Sequence, residues 1–118
     1  MNSFRKHLVS YRYACNGILL AFRLEFNMWI HAAASFGVLL TNFLLKVSQT
    51  EWLFTLLLIG LVWMAEVFNT AIEKLGDRVN PDHDPGIGEV KDLASGAVLL
   101  ICIIAVIGAL VIYLPYLW

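Results

Sequence analysis

The chain is mostly apolar from Phe26 to Leu45, without one charged side chain, and after the polar stretch 46–51 the pattern resumes at Trp52 and runs to Ala65. A third run, from Leu93 to Trp118, is also free of charge. About 20 helical residues, at about 1.5 Å each, cross the roughly 30 Å of hydrocarbon in a bilayer. The first and third runs reach that length directly. The second reaches it if its helix continues past Glu66, where apolar residues return at Ala71 and Ile72. Three membrane-spanning helices are therefore predicted, approximately over 26–45, 52–73 and 93–115.

Residues 1–25 follow another rhythm. Phe4, Leu8, Tyr11, Cys15, Ile18, Leu19 and Phe22 recur at steps of three and four, while Arg5, Arg12, Asn16 and Arg23 share another face. That pattern predicts an amphipathic helix lying in the membrane interface. A secretory signal peptide is a poorer reading, because the apolar stretch at Ile18–Phe22 is short and Arg23 and Glu25 follow it at once. The polar connection 74–92 is predicted as a loop: Pro81 and Pro85 stop the second spanning helix, Gly86 and Gly88 supply turns, and Asp92 or the residues before it start the third. Residues 1–118 read as a single domain, all-α and integral to the membrane.

Composition agrees. Of 118 residues, 60% are hydrophobic, with eight basic and nine acidic side chains, too few charges for an ordinary soluble domain. Arg5, Lys6, Arg12 and Arg23 precede the first span and Lys74, Arg78 and Lys91 surround the link before the third, whereas the other connection holds Lys46 alone. The positive-inside rule then predicts a cytoplasmic amino terminus and a cytoplasmic 74–92 segment, with the membrane crossed three times. The net charge of −1 identifies no partner, and nucleic acid is not expected among them. Cys15 and Cys102 fall on the amphipathic helix and inside the third span, and read as packing residues. Trp29, Trp52, Trp63 and Trp118 read as interface markers or lipid-facing packing.

Chemistry is concentrated in "EVFNTAIEKLGD", where Glu66, Asn69, Glu73 and Asp77 project within about 80° of one another on a helix. Neighbouring carboxylates repel, and polar groups left unpaired in hydrocarbon cost several kcal/mol. Lys74, Arg78 or Lys91 could pair with the stripe as an interfacial charge network. A divalent cation explains the whole set better, since Glu25 stands at the same cytoplasmic level. Mg²⁺ takes one or two carboxylates plus phosphate oxygens and water, a role open to Glu25 and Glu73 with a nucleotide completing the shell. Glu66, deeper in the helix, is then free to act as general base on a hydroxyl presented from the bilayer. His31, one turn beyond Asn27, reads as a histidine hydrogen-bonded inside the bundle, with a catalytic role as the alternative. For His83, between Asp82 and Asp84, the alternatives are a solvated turn and a nucleotide contact. Neither Gly86-x-Gly88 nor any other segment makes a P-loop or a kinase glycine-rich loop.

"EVFNTAIEKLGD" followed by "VKDLASGAVLL" resembles the signature of the bacterial diacylglycerol kinase family, small three-span lipid kinases, and the likeness covers nearly the whole chain. The segment "EFNMWIHAAA", with Glu25, Asn27 and His31, is similar to the undecaprenol kinase branch. The resemblance implies that Glu66 is the proton acceptor, that Glu25 and Glu73 hold Mg²⁺ against ATP, and that Lys91 and Asp92 contact the nucleotide. It also implies that Tyr13, Asp82, His83 and Asp84 surround ATP and that Asn69 and Ser95 lie near the reacting groups. Lys6 stands where relatives often carry the bidentate arginine. Gly76 stands where they carry an apolar β-branched residue, which would loosen the end of the second span. Family members are homotrimers with active sites shared between protomers. That suits a chain whose three thin helices are expected not to surround a polar stripe unaided, with Ala94, Gly96 and Ala97 allowing close approach.

The expected activity is phosphorylation of a membrane lipid alcohol by MgATP, with undecaprenol as acceptor and diacylglycerol as the alternative. A small ion-coupled transporter or channel subunit would also need intramembrane carboxylates. It would place them near the bilayer midplane, whereas this stripe opens onto the cytoplasmic segment.

Overall fold

A computed structural model describes residues 2–117 as four α-helices and a closing 3₁₀ turn at Leu114–Leu117. The helices are α1 (Ser3–Leu24), α2 (Phe26–Leu45), α3 (Gln49–Val79) and α4 (Pro85–Tyr113). Helices α2, α3 and α4 are each long and apolar enough to cross a membrane, the last with its 3₁₀ extension. Trp118 lies outside the described residues.

The molecule measures 53 × 45 × 20 Å, and its thin dimension is about two helix diameters. Few side chains can be enclosed: the apolar ones buried are Ala21, Met28, Val47, Val62 and Ala94. Large residues such as Phe36, Phe43, Leu99, Leu100 and Val111 are more than 60% exposed. So much bare apolar surface is untenable in water and ordinary against lipid. Helix α1 is exposed over residues 2–20, and its burial within the chain begins at Ala21.

Three boundaries differ from the expected ones. Helix α3 begins at Gln49, not Trp52, because Ser48-x-x-Glu51 forms a capping box: Ser48 Oγ accepts from the Glu51 amide at 3.2 Å and Glu51 Oε1 from the Ser48 amide at 3.0 Å. It then runs 31 residues, six of them into the expected 74–92 loop, and Gly76 does not loosen it. A Cβ at Gly76 would stand 3.1 Å from Ile87 Cγ2 and 3.2 Å from Lys91 Cε, so the glycine lets the start of α4 lie close against α3. The expected loop 74–92 shrinks to 80–84. Pro85 opens α4 instead of stopping α3, since its fixed φ suits the first helical position and Asp84 caps the helix. Gly86 and Gly88 are consequently helical.

At the opposite end, a polar network joins the three long helices. Tyr113 Oη donates to Asn42 Oδ1, Asn42 Nδ2 donates to Thr55 Oγ1 at 2.8 Å, and Thr55 Oγ1 donates to the Glu51 and Trp52 carbonyls. Asn42 is fully buried. Tyr113→Phe leaves a buried acceptor short of its donor and should cost about 1 kcal/mol, read as a lower thermal midpoint in detergent. Tyr116→Phe, which removes a more exposed bond to Glu51, should cost less.

Candidate active site

One residue between α1 and α2 is non-helical, and it is Glu25 (φ −124°, ψ 115°). An aromatic corner fixes this bend. Trp29 Nε1 donates to the Phe22 carbonyl at 3.1 Å, and the Phe22 ring meets Trp29 and Trp63 edge-on at 4.9 and 5.6 Å. Trp29 and Trp63, which read as interface markers, thus also hold the bend at Glu25. The bend sets the Glu25 carboxyl beside Glu73 of α3. Partial burial, then the Glu73 carboxyl and the more distant Glu66 charge, push the Glu25 carboxyl above its ordinary range. Among the described residues no cluster of three or more metal-ligating side chains forms. A pair of carboxyls crowded together is nevertheless the donor set Mg²⁺ requires when phosphates and water complete its shell.

Deeper in α3, Glu66 is 1% exposed. Its Oε2 lies 3.1 Å from Nε2 of His31 on α2, and its Oε1 is buried with no hydrogen-bond partner. Asn69 is also buried and lies 3.5 Å, at the limit of a hydrogen bond, from Ser95 Oγ on α4. Asn27, His31, Glu66, Asn69, Ser95 and Cys102 line a cavity of about 330 Å³. One chain therefore does enclose the deep half of the stripe, contrary to expectation, because α2 and α4 flank α3 on that side. The shallow half is more open, with Glu73 half-buried and Asp77 exposed. Asp77 is not free, since Lys91 Nζ donates to its Oδ1. From Gln49, Glu66 lies about 26 Å along the helix, a distance a little less than the thickness of an average hydrocarbon layer.

His31 and Cys102 also line a second cavity, an apolar groove of about 210 Å³ extending past Val38, Leu58 and Ala105 to Tyr113. A third, of about 200 Å³, gathers Asp77, Asp82, His83, Asp84 and Lys91 around 80–84. Within it Asp84 is committed to the helix cap: Oδ1 accepts from the Gly86 and Ile87 amides at 2.8 and 3.2 Å, and Oδ2 from Asn80 Nδ2 at 3.2 Å. The Ile87 amide, then Asn80 and Gly86, hold its carboxyl below the usual range. Lys6, Tyr13 and Asp92 are exposed, and none of them lines these three cavities. Cys102, read from sequence as packing, is the residue the polar cavity adds. Its place opposite Glu66 depends on the rotation of α4, which spacing along one helix does not encode.

The model of the prokaryotic diacylglycerol kinase family matches residues 12–113. The chain is 39% identical to the undecaprenol kinase of Bacillus subtilis over 114 residues, covering 97% of this chain and 93% of that one. It is 36% identical to a diacylglycerol kinase of Synechocystis over 92% of this chain and 62% of the relative. A shorter match, 43% identical over 47 residues, joins it to the diacylglycerol kinase of Escherichia coli K12. A signature on one face of a long helix, the spans around it and these matches agree: the chain belongs to the prokaryotic diacylglycerol kinase family of membrane lipid kinases.

Proposed function

We propose that this protein transfers the γ-phosphate of ATP to the hydroxyl of undecaprenol at the cytoplasmic face of a bacterial inner membrane, releasing undecaprenyl phosphate and ADP. The observation that carries the reading is the Glu66 carboxyl, with one oxygen bonded to His31 and the other buried and unpartnered, in a cavity continuous in its lining with an apolar groove. An acceptor hydroxyl in that cavity loses its proton to Oε1 of Glu66 while its oxygen attacks the phosphorus. Asn69 and Ser95 flank and orient the hydroxyl. Glu25 and Glu73 would hold Mg²⁺, which supplies positive charge against the ATP phosphates. Lys91, held by Asp77, and Asp92, Asp82 and His83 face the nucleotide from the cytoplasmic end.

The groove supports a polyisoprenoid acceptor. Ala34, Val38, Leu58, Ile59, Val62 and Ala109 offer apolar surface, which suits a hydrocarbon chain and leaves the ester oxygens of diacylglycerol poorly solvated. The B. subtilis relative is named for the same substrate. Apolar pockets discriminate weakly among related lipids, so diacylglycerol is turned over too, less efficiently. The test is phosphate transfer from labelled ATP to each lipid, compared by mole fraction in the same mixed micelles. The expected outcome is a higher kcat/KM for undecaprenol. A preference for diacylglycerol would reassign the acceptor, and transfer to neither would end the kinase reading.

The assembly is a homotrimer with α1 in the interface. Residues 2–20, nearly all of them in α1, are exposed, and Lys6 and Tyr13 line none of the three cavities described above. A neighbouring protomer's nucleotide offers them one. Gly96, with open space where a Cβ would stand, and the exposed Ala97 leave room for close helix approach. The amino terminus faces the cytoplasm, on the strength of the basic residues at that end.

A further inference from the structure

We propose that His31 is a positioning residue for phosphate transfer: by donating Nε2–H to Oε2 of Glu66 it fixes the carboxyl so that Oε1 is the oxygen presented to the acceptor hydroxyl. This rests on the kinase reading above and assigns a role within it. The geometry is a single bond of 3.1 Å between two side chains 35 residues apart, one 16% and the other 1% exposed. Thr70, one turn further along α3, bonds the Glu66 main-chain carbonyl and leaves the carboxyl alone. Beyond His31, the ionisable groups near this carboxyl are Cys102 of α4, in the same cavity, and the Glu25–Glu73 pair at the corner. Neither carboxyl of that pair offers an N–H.

The main chain at His31 is braced. Its carbonyl accepts from Ser35 Oγ at 2.7 Å, Ser35 Oγ accepts from Trp63 Nε1 at 2.9 Å, and the Trp63 ring packs on Phe22, beside the bend at Glu25. The brace ties the α2 main chain at His31 to the corner that sets Glu25. A carboxyl that is to accept the substrate's proton has none of its own to give, so the hydrogen of the bond lies on Nε2. In the reaction the acceptor O–H proton passes to Oε1, the new O–P bond forms as the P–O bond to ADP breaks, and His31 keeps its own proton throughout. Its work is to hold one oxygen so that the other has one direction.

The test compares kcat, and KM for MgATP and for lipid, in His31→Ala, His31→Gln, Glu66→Gln and the Ala/Gln double variant. His31→Ala should lower kcat about 10- to 100-fold with both KM values within about threefold, the effect expected of a misaligned base. His31→Gln retains a side-chain N–H for Oε2 and should recover kcat to within about fivefold of the parent. In the Glu66→Gln background the Ala change should cost less than about twofold more, because a residue acting through Glu66 has nothing left to position. Should the cavity left by Ala prevent folding, His31→Leu fills it and serves in its place. Gln as impaired as Ala, an Ala effect undiminished beside Glu66→Gln, or a change in KM alone would each overturn the proposal. If the parent phosphorylates lipid while any of these holds, the role of His31 falls and the kinase reading stands. A parent inactive on both lipids takes both down.

Discussion

Glu66→Gln is expected to lower kcat by about 10³-fold while KM for MgATP stays within about threefold. The size follows from general-base catalysis, worth about 10²–10⁴-fold, and the split from geometry. Glu66 lies deep in α3, in the polar cavity that adjoins the groove, whereas the carboxyls suited to a metal are on the shallower turn and at the α1–α2 bend. The amide keeps the shape of the side chain and retains an oxygen for the His31 bond, so helix packing should persist. Single-turnover transfer and equilibrium binding of MgATP, measured on the same preparation, separate the two quantities. If binding fell as far as rate, Glu66 would belong with the metal or the packing.

Glu73→Gln should act on the other quantity. Removing one of two adjacent carboxylates should lower kcat/KM for MgATP by at least about 100-fold and raise the Mg²⁺ concentration needed for half-maximal rate. Glu25→Gln should match it, although that residue stands on another segment. A second readout is independent of activity. In the metal-free protein the two carboxyls crowd each other, which is part of why the Glu25 carboxyl titrates above its ordinary range. In EDTA, Glu73→Gln should therefore melt no lower than the parent, and added Mg²⁺ should stabilise the parent more than the variant. A variant that binds MgATP as the parent does would remove Glu73 from the metal site.

How far such residues can be read before the fold is known depends on whether they share a helix. The four polar groups of the stripe were legible because the spacing 66, 69, 73, 77 encodes one face by itself. The spans were legible because apolar runs of that length have few other uses. The cap at Ser48 was present in the sequence as Ser-x-x-Glu, and reading it would have moved the start of α3 to Gln49. Pro85 was ambiguous for a physical reason: the same fixed φ that ends one helix begins the next, and Asp84 in front of it decides between them. A hydrogen-bonded His31 and a Lys91 paired with the stripe could be read as possibilities, but their partners, Glu66 and Asp77, could not be picked out. Each pairing depends on how two helices are rotated against one another, a property of the packed bundle. The same holds for the enclosure of Glu66 by a single chain, which counting helices had argued against.

The unbroken course of α3 has a consequence for how this protein can change over evolutionary time. Glu66, Asn69, Glu73 and Asp77 ride on one rod with no loop between them. One residue inserted anywhere between 66 and 73 would swing the later groups by about 100° relative to the earlier ones, carrying Glu73 away from Glu25 while Glu66 stayed beside His31. No single substitution restores such a phase error. The short connections at 46–48 and 80–84 are not part of that rod, so a length change there leaves the phase within α3 untouched. Insertions and deletions in descendants of this sequence therefore have those two connections as their safest harbour, while the segment 66–77 can vary in side chain but hardly in length.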